Sequence, residues 1–359
     1  MSGSYISPEY THCIRDARFR YNVYEPEADT FLFLEALDKD TNLLRELSPS
    51  RCIEIGCGSG TVITHLRCLL MPPSSANSEG TGEGKLGEFH GTASPSTAVG
   101  GPLFCAVDIN PLALEATGVT WTSTLLQHFT FPTLADHFNN VFKAEVPASL
   151  AAPVVVGTAS SAQSEKVEAN DVCSTMSPTP PPCETTVATT VVSASDGLPD
   201  ASPSTYCLRR FQGDLFGPVH DALGTKGAVF DVILFNPPYV PTSLEELQDA
   251  VSKKDVITAA WCGGPRGRVV TDRFLRQLPS VMSRHGACYV VLIKENDVQD
   301  VIDFAQHAFR AYLAEADVGL AEGDVLEVVE VAARYTGEHL SVYRLRYLPP
   351  YRDVDPLLA

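Results

Sequence analysis

The 359-residue sequence predicts an α/β domain with a mostly parallel sheet of seven strands that ends in an antiparallel hairpin. Three observations predict this class. Short apolar runs alternate with segments of helical periodicity, which is typical of β-α-β units. A glycine-rich turn follows the first apolar run and opens a helix. The last two runs are separated only by residues 335–338, too few for a crossover helix.

The elements can be justified in chain order. In the first predicted helix, Phe31, Leu34 and Leu37 recur at helical spacing. Pro111 opens another helix behind Asn110, a favourable N-cap. The predicted helices are 27–37, 60–70, 111–128, 269–283 and 297–314, and the predicted strands are 51–55, 103–107, 206–212, 229–235, 287–293, 324–332 and 340–347.

Two stretches, 72–101 and 143–205, are dominated by Ser, Thr, Pro, Gly, Ala and Val. They lack the aromatic, Leu and Ile content that could offset the entropy of ordering. Both fall between predicted elements, where a long loop costs little closure entropy. We therefore predict that residues 1–359 form a single domain with two low-complexity insertions.

The composition argues against several classes of protein. With 26 Lys and Arg against 44 Asp and Glu, the formal net charge is -18, which disfavours broad, non-specific nucleic-acid binding. The 10 cysteines include no C-x-x-C pair, so we expect no zinc knuckle, redox motif or other metal site. No membrane-spanning apolar run and no signal-peptide pattern is present, and we expect a cytoplasmic location, with the nucleus as an additional one.

Residues 52–60 combine a strand with a turn that contains Gly56, Gly58 and Gly60. Glycine permits positive φ and lets the backbone approach a ligand closely. The spacing is not the G-x-G-x-x-G of dinucleotide sites, and Glu54 would repel a pyrophosphate. S-adenosylmethionine, which carries an adenosine and positive charge but no phosphate, suits this turn better.

Further carboxylates are predicted at strand ends. Asp108 follows the second strand, where it could bind both ribose hydroxyls of the donor. Asp214 follows the third strand, where it could reach the adenine amino group with Leu215 beside the ring. The structural alternatives are a tight strand-to-helix connection with a capping acid at Asp108, and an ordinary turn at Asp214.

The fourth predicted strand is followed by Asn236-Pro237-Pro238-Tyr239. Two prolines remove two backbone donors, which leaves carbonyl groups and the Asn236 side-chain oxygen as acceptors for a planar NH2 group. Tyr239 offers a flat face for stacking. Because an amide nitrogen is a weak nucleophile, acceptors that draw electron density onto it and aim it at the methyl donor would promote transfer. The alternative is a Pro-Pro loop that only ends a strand.

In this order, the motifs resemble those of the HemK-type protein-glutamine methyltransferases, and most closely the eukaryotic cytosolic branch. The resemblance implies a Rossmann-like, seven-stranded, S-adenosylmethionine-dependent methyltransferase fold. It also implies methylation of the glutamine in the Gly-Gly-Gln motif of the peptide-chain release factor that acts in translation termination. The segments that carry it are Val23-Tyr-Glu-Pro-Glu-Ala-Asp-Thr-Phe-Leu, Glu54-Ile-Gly-Cys-Gly-Ser-Gly, Asp108-Ile-Asn-Pro, Gly213-Asp-Leu, Asn236-Pro-Pro-Tyr, Ala260-Trp-Cys-Gly-Gly-Pro-Arg-Gly-Arg and Ile293-Lys-Glu-Asn.

Carried over by position, the resemblance implies a catalytic group of Asn236, Pro237 and Tyr239, in which Asn236 holds the glutamine amide and Tyr239 packs against it. It also implies a small zinc-binding activator protein that forms a heterodimer with the chain. The third strand is expected at a sheet edge, where it would offer unpaired backbone groups to that partner. The residues implied to contact the methyl donor are Thr30, Glu54, Gly56, Gly58, Asp108, Asp214, Leu215 and Asn236.

Alternatives to glutamine methylation stay open from the residues alone. An N-P-P-Y motif also serves adenine amino methylation, which needs a flipped base and a basic channel. Lysine methylation would need a deprotonating environment instead of two acceptors, and a donor-binding scaffold would need no catalysis. The residues that could form a local basic patch for nucleic acid are Arg266, Arg268, Arg273 and Arg276.

Overall fold

A computed structural model of the chain describes residues 6–72, 101–129, 208–253, 255–316 and 318–352. The chain divides into one unit of Met1–Thr130 with Ser202–Ala359 and a second unit of Phe131–Ala201, and every described residue belongs to the first. The predicted insertions, 72–101 and 143–205, lie outside the described residues except for Pro72 and Gly101. The single-domain organisation therefore stays a prediction.

The described strands confirm the predicted fold class. They form one sheet in the order β3-β2-β1-β4-β5-β7-β6. The neighbours from β3 to β5 are parallel, whereas β7 is antiparallel to both β5 and β6. The strands are Arg51–Ile55 (β1), Leu103–Asp108 (β2), Leu208–Gln212 (β3), Phe230–Phe235 (β4), Met282–Ile293 (β5), Leu326–Tyr335 (β6) and His339–Tyr347 (β7).

The five predicted helices are all present, with ends within two residues of the prediction. As predicted, the Asn110 side chain accepts a hydrogen bond from the Leu112 N–H at 3.0 Å and caps its helix. The sequence analysis did not predict the remaining helices. The helices are Thr11–Arg15 (α1), Ala28–Lys39 (α2), Thr41–Leu47 (α3), Thr61–Leu70 (α4), Pro111–His128 (α5), Gly217–Gly227 (α6), Leu244–Ser252 (α7), Val256–Trp261 (α8), Val269–Val281 (α9), Val298–Glu315 (α10) and Pro349–Arg352 (α11).

One of the three apolar residues at helical spacing in α2 is exposed. Phe31, which was assigned to the apolar stripe, is 38% exposed. The helix packs against α4 and against the β6-β7 hairpin together, so it needs a broad apolar face that a single stripe does not describe. The α2 residues with no exposed surface are Leu32, Phe33, Ala36 and Leu37.

Successive residues of β1 face opposite sides of the sheet, as the pleat requires. Ile53 and Ile55 join the main core, which also contains Phe274 of α9 and Phe309 of α10. Glu54 points to the other side, where its carboxylate accepts a hydrogen bond from the backbone of α4. The strand pattern thus places a carboxylate beneath the start of a helix.

The strand register brings the predicted site residues to one edge of the sheet. Ile55, the last residue of β1, pairs with Val107 of β2 and with Phe235 of β4. Because β2 and β4 lie on opposite sides of β1, the strand order reverses at this point, where ligands of parallel sheets commonly bind. The residues that follow β1, β2 and β4 therefore border one crevice.

Candidate active site

A cavity of about 420 Å³ opens at the carboxyl ends of β1, β2 and β4. Every residue that the sequence analysis predicted for donor contact or catalysis lines this cavity. The structure therefore gathers all of the predicted site residues around one space. They are Thr30, Glu54, Gly56, Gly58, Asp108, Asp214, Leu215, Asn236, Pro237 and Tyr239.

The glycine turn forms the floor of the cavity. Gly56, Gly58 and Gly60 all have positive φ, at +64°, +51° and +74°. A Cβ on Gly60 would lie 2.6 Å from the Cα of Thr117 on α5, so this position excludes any side chain. A Cβ on Gly58 would meet no heavy atom within 4 Å. The backbone at Gly58 thus leaves space into which a ligand can approach.

Asp108 is held by backbone groups on both of its oxygens. Its Oδ2 accepts a hydrogen bond from the Gly58 N–H at 3.0 Å, and its Oδ1 accepts one from the Asn110 N–H at 2.8 Å. Burial nevertheless raises the pKa of the Asp108 carboxyl. Since a carboxylate has about four lone-pair sites, Asp108 can still accept hydrogen bonds from hydroxyl groups of a ligand.

Glu54 is a second buried carboxyl in the same cavity. It is 2% exposed, and its Oε2 accepts a hydrogen bond from the Ile63 N–H at 2.9 Å. Burial raises the pKa of Glu54 well above its usual value, and the charge of Asp108 adds to this. Two carboxyls whose ionised forms are disfavoured make the cavity receptive to a cation, which fits the ammonium and sulfonium charges of S-adenosylmethionine.

The turn after β3 is tied to the end of β2, because the Gly213 N–H donates to the Asp108 carbonyl at 2.9 Å. Leu215 is buried there at a φ of +49° and presents an apolar surface to the cavity. The Asp214 carboxylate forms an ion pair with Arg273 of α9. Arg273 also lines the cavity, so the predicted adenine end carries a pair of charges where the sequence suggested a lone acid.

The Asn236 side chain is held from one side only. Its Nδ2 donates to Asp29 Oδ2 at 2.8 Å, and the Tyr239 hydroxyl donates to the same oxygen at 3.3 Å. The Asn236 Oδ1 is buried and has no hydrogen-bond partner among the described residues. Asn236 lines the cavity, and its side chain thus carries one acceptor that is not yet engaged.

The carbonyl groups of this loop are less free than the sequence suggested. The Tyr239 carbonyl accepts a hydrogen bond from Asn296 Nδ2 at 2.8 Å. The Pro238 carbonyl lies where a Cβ on Gly263 would approach it to 2.4 Å. The expectation of outward-pointing acceptors is therefore wrong for Tyr239, because the segment at 263–267 and Asn296 pack against the loop.

Several cavity residues were not predicted. Asp29 stands beside the predicted Thr30, but nothing local in the sequence reveals a partner at Asn236. Helices α7 and α8 line another wall, and the spacing of Leu244, Leu247 and Val251 is a helical signal that the sequence analysis did not use. The additional lining residues that matter most are Asn22, Tyr24, Asp29, Leu247, Trp261 and Arg273.

The arginines considered as a nucleic-acid patch are largely neutralised. Arg268 is 3% exposed and pairs with Asp272 at 3.0 Å and with Asp300. Arg266 lies 3.3 Å from Asp300. Arg273 pairs with Asp214, and Arg276 stacks over the Phe304 ring at 5.2 Å. These contacts leave no free basic patch among the four arginines.

Among the described ranges, no group of three or more His, Cys, Asp and Glu side chains is arranged to hold a metal ion. Within the same ranges, no helix combines the length and apolar character needed to cross a membrane. The seven described cysteines are buried and unpaired.

Comparison with known proteins found no matching family model. Over 76 residues, 21% of this chain and 32% of the relative, the chain is 38% identical to the eRF1 methyltransferase catalytic subunit mtq2 of Schizosaccharomyces pombe. Over 72 residues, 20% of this chain and 31% of the relative, it is 42% identical to Methyltransferase HEMK2 of Homo sapiens. Over 81 residues, 23% of this chain and 35% of the relative, it is 38% identical to a putative protein N5-glutamine methyltransferase, MJ0928, of Methanocaldococcus jannaschii.

The chain thus spans about a third of the length of the curated relatives that it matches. Over these 72 to 81 matched residues, the predicted resemblance to HemK-type methyltransferases is confirmed, because each of the three relatives is named as a methyltransferase. Among solved structures, the chain is similar to the E. cuniculi Mtq2-Trm112 complex, described as methylating the eRF1 translation termination factor. That similarity has 14% identity and a TM-score of 0.40, and covers 91% of this chain and 99% of the other.

Proposed function

We propose that this chain is an S-adenosylmethionine-dependent methyltransferase that methylates the side-chain amide of the glutamine in the Gly-Gly-Gln motif of the eukaryotic release factor. The observation that carries the proposal is the buried, unpartnered Asn236 Oδ1 in a cavity that also contains Glu54 and Asp108. The names of the relatives support it: one is an eRF1 methyltransferase catalytic subunit, one a putative protein N5-glutamine methyltransferase, and the third a methyltransferase.

S-adenosylmethionine, when bound, supplies an electrophilic methyl group on positively charged sulfur. Asp108 would hold the ribose hydroxyls, because backbone N–H groups fix its position and a carboxylate can accept further hydrogen bonds. Glu54 would face the positive charge of the donor, which offsets the cost of burying an ionised carboxylate. Leu215 would supply an apolar contact for the adenine ring.

At the other end of the cavity, Asn236 would accept a hydrogen bond from the NH2 group of the substrate glutamine. That bond fixes the orientation of the amide and shifts electron density toward its nitrogen, so positioning and electrostatics lower the barrier. Pro237 and Tyr239, which line the cavity, would pack beside the amide. No strong base is needed before transfer, since the nitrogen becomes acidic only once it has been methylated.

The alternatives are less compatible with this site. Amino methylation of nucleic acid would need a basic channel, whereas three of the four candidate arginines pair with carboxylates. A scaffold without catalysis would have no use for a buried acceptor without a partner, which costs about 1–3 kcal/mol to maintain.

The proposal is tested by incubating the purified chain, together with its small zinc-binding activator, with isotopically labelled donor and three substrates: the release factor, its Gly-Gly-Gln→Gly-Gly-Ala variant, and an adenine-containing oligonucleotide. We expect label on the glutamine peptide of the unmodified factor only. Label on the variant at the same level or on the oligonucleotide, or donor binding without any transfer, would contradict the proposal.

We also propose that the chain works as a heterodimer with a small zinc-binding activator that adds to β3. In the described sheet β3 is an edge strand, with Arg209, Arg210 and Gln212 exposed and Leu208 and Phe211 half-buried. Binding should slow amide hydrogen exchange over 208–212. A chain that is monomeric, soluble and fully active by itself would contradict the requirement for a partner.

We propose that this complex acts in the cytoplasm, with the nucleus as an additional location. Imaging of a tagged chain in cells, with a tagged release factor as reference, distinguishes these compartments. Restriction of the chain to an organelle or a membrane would contradict the proposed substrate.

A further inference from the structure

Asp29 is a buried carboxylate that belongs to neither the predicted donor contacts nor the predicted catalytic group. It lies in the first turn of α2 and is 3% exposed. Its Oδ1 accepts the Thr30 N–H at 2.7 Å. Its Oδ2 accepts hydrogen bonds from Asn236 Nδ2 at 2.8 Å and from the Tyr239 hydroxyl at 3.3 Å. Both oxygens are therefore engaged, one by the helix end and one by the loop after β4.

The chemistry of this contact settles which way the Asn236 amide points. A carboxylate at this position only accepts hydrogen bonds, so Asn236 must turn its NH2 group toward Asp29. Its Oδ1 must then face away, and this is the atom that is buried without a partner. In the opposite orientation, Asn236 Oδ1 would face Asp29 Oδ2, and the two oxygens would repel each other. Asn236 would then offer the substrate its NH2 group, a hydrogen-bond donor, in place of an acceptor.

The surroundings of Asp29 reinforce this polarity. Burial raises the pKa of the Tyr239 hydroxyl, and the negative charge of Asp29 raises it further, so the hydroxyl stays a donor to Asp29. The same two causes, in the same order, raise the pKa of Tyr24.

We infer that Asp29 is a positioning residue: it locks the Asn236 side chain with Oδ1 toward the substrate, and so determines that the site accepts hydrogen bonds from an NH2 group. This rests on the proposed function for its catalytic consequence, whereas the locked orientation is a property of the protein without substrate. Asp29 itself need not touch the substrate.

Asp29→Asn tests this with almost no change in volume. The single oxygen of the introduced amide would accept the Thr30 N–H, which leaves its NH2 group facing Asn236. Asn236 would then rotate to accept that hydrogen bond, and its Oδ1 would no longer be free to accept one from the substrate. We expect kcat to fall about 100-fold while the affinity for the donor stays within about threefold. The matched control is Asp303→Asn on the exposed side of α10, which should retain wild-type kcat.

The double variant Asp29→Asn with Asn236→Asp reverses the polarity of the pair. The NH2 group introduced at position 29 would donate to the carboxylate introduced at position 236, and the second oxygen of that carboxylate would again be free to accept a hydrogen bond from the substrate. We expect the double variant to be at least about tenfold more active than Asp29→Asn. If Asp29 served only the stability of the fold, Asn236→Asp would not restore activity to Asp29→Asn.

A measurement without substrate separates this inference from the proposed function. In protein labelled with 15N at asparagine, the Asn236 side-chain NH2 protons should exchange slowly in the wild type and rapidly in Asp29→Ala. Slow exchange that Asp29→Ala abolishes supports the locked orientation even if no glutamine substrate is methylated. Equal exchange in both proteins, wild-type kcat in Asp29→Asn, or a double variant no better than Asp29→Asn would overturn the inference.

Discussion

The two ends of the cavity are held by different kinds of atoms. At the donor end, the Asp108 and Glu54 carboxylates accept hydrogen bonds from backbone N–H groups. At the acceptor end, Asn236 is held by the side chain of Asp29, which also accepts from the Tyr239 side chain. The end of the cavity proposed for the methyl donor is therefore fixed by the backbone, whereas the end proposed for the methyl acceptor depends on a few side chains. These two ends are called the donor end and the acceptor end below.

The same difference appears in sequence distance. The bonds from the backbone to Glu54 and Asp108 connect residues 9 and 50 positions apart. The bond between Asn236 and Asp29 connects residues 207 positions apart. Substitutions at the acceptor end should thus change the chemistry with little effect on the fold, and substitutions in the backbone turn should do the reverse.

The largest expected effect is at the acceptor end. Asn236→Ala removes the only predicted acceptor that is both buried and free among the described residues of the loop, and we expect methyl transfer to fall about 1000-fold, or about 4 kcal/mol of transition-state stabilisation. Donor affinity should change little, because the carboxylates at the other end are untouched. Single-turnover kinetics and calorimetric titration of the donor product measure the two effects separately. Transfer at the wild-type rate would remove Asn236 from the mechanism.

Next in size is a change in the turn itself. Gly60→Ala places a Cβ 2.6 Å from the Thr117 backbone at a residue whose φ is +74°. We expect a loss of about 3 kcal/mol in the free energy of unfolding, from overpacking and backbone strain together. Urea denaturation measures it. Gly319→Ala is the matched control, since a Cβ there meets nothing within 4 Å. Equal stability of the two variants would show that the turn can relax.

A smaller effect is expected at Asp108. In Asp108→Asn one oxygen becomes an NH2 group, which cannot accept the hydrogen bond from Gly58 or Asn110. We expect a loss of about 1 kcal/mol in the free energy of unfolding and of about tenfold in the affinity for the methyl donor. The rate of methyl transfer from bound donor should be nearly unchanged. Isothermal titration measures the donor affinity, and kcat measures the rate of transfer. A large fall in kcat at unchanged affinity would mean that the two ends of the cavity are not separable.

The smallest effect concerns pH. Because burial raises the pKa of Glu54, the folded chain holds this proton more tightly than the unfolded chain does. The resulting stability is fully present below the usual carboxyl pKa of about 4.3 and is lost as the pH rises toward the raised value. Glu54→Gln keeps an oxygen for the Ile63 N–H and removes the ionisation. Without donor, we expect this variant to lose less stability than the wild type between about pH 5 and pH 8 in urea titrations.

Added donor should reduce that difference, since its positive charge favours ionised Glu54 in the wild type. The donor should also bind more weakly to Glu54→Gln than to the wild type at the alkaline end of that range. A variant whose stability falls with pH as steeply as that of the wild type would mean that Glu54 is not the group that titrates.

The sequence predicted the local features of the site and missed the contacts between residues that are far apart in the chain. Strand ends and turns are local patterns, so Glu54, Asp108 and Asn236 were identified from the residues beside them. Parallel pairing then required these positions to meet, because the carboxyl ends of neighbouring strands lie at one edge. In α2 the spacing identified the helix but not which residues are buried: Leu37 is buried and Phe31 is exposed, because the neighbouring elements decide which apolar side chains they cover.

The amino-acid pattern by itself was enough to predict the alternation of strands and helices, the glycine turn and the residue types at the strand ends, since each depends on nearby residues. Folding in three dimensions was needed to pair Asp29 with Asn236, to give Asp214 its Arg273 partner and to place α7 and α8 along the cavity. The physical reason is that a hydrogen bond acts over about 3 Å of space and is indifferent to the length of chain between its partners.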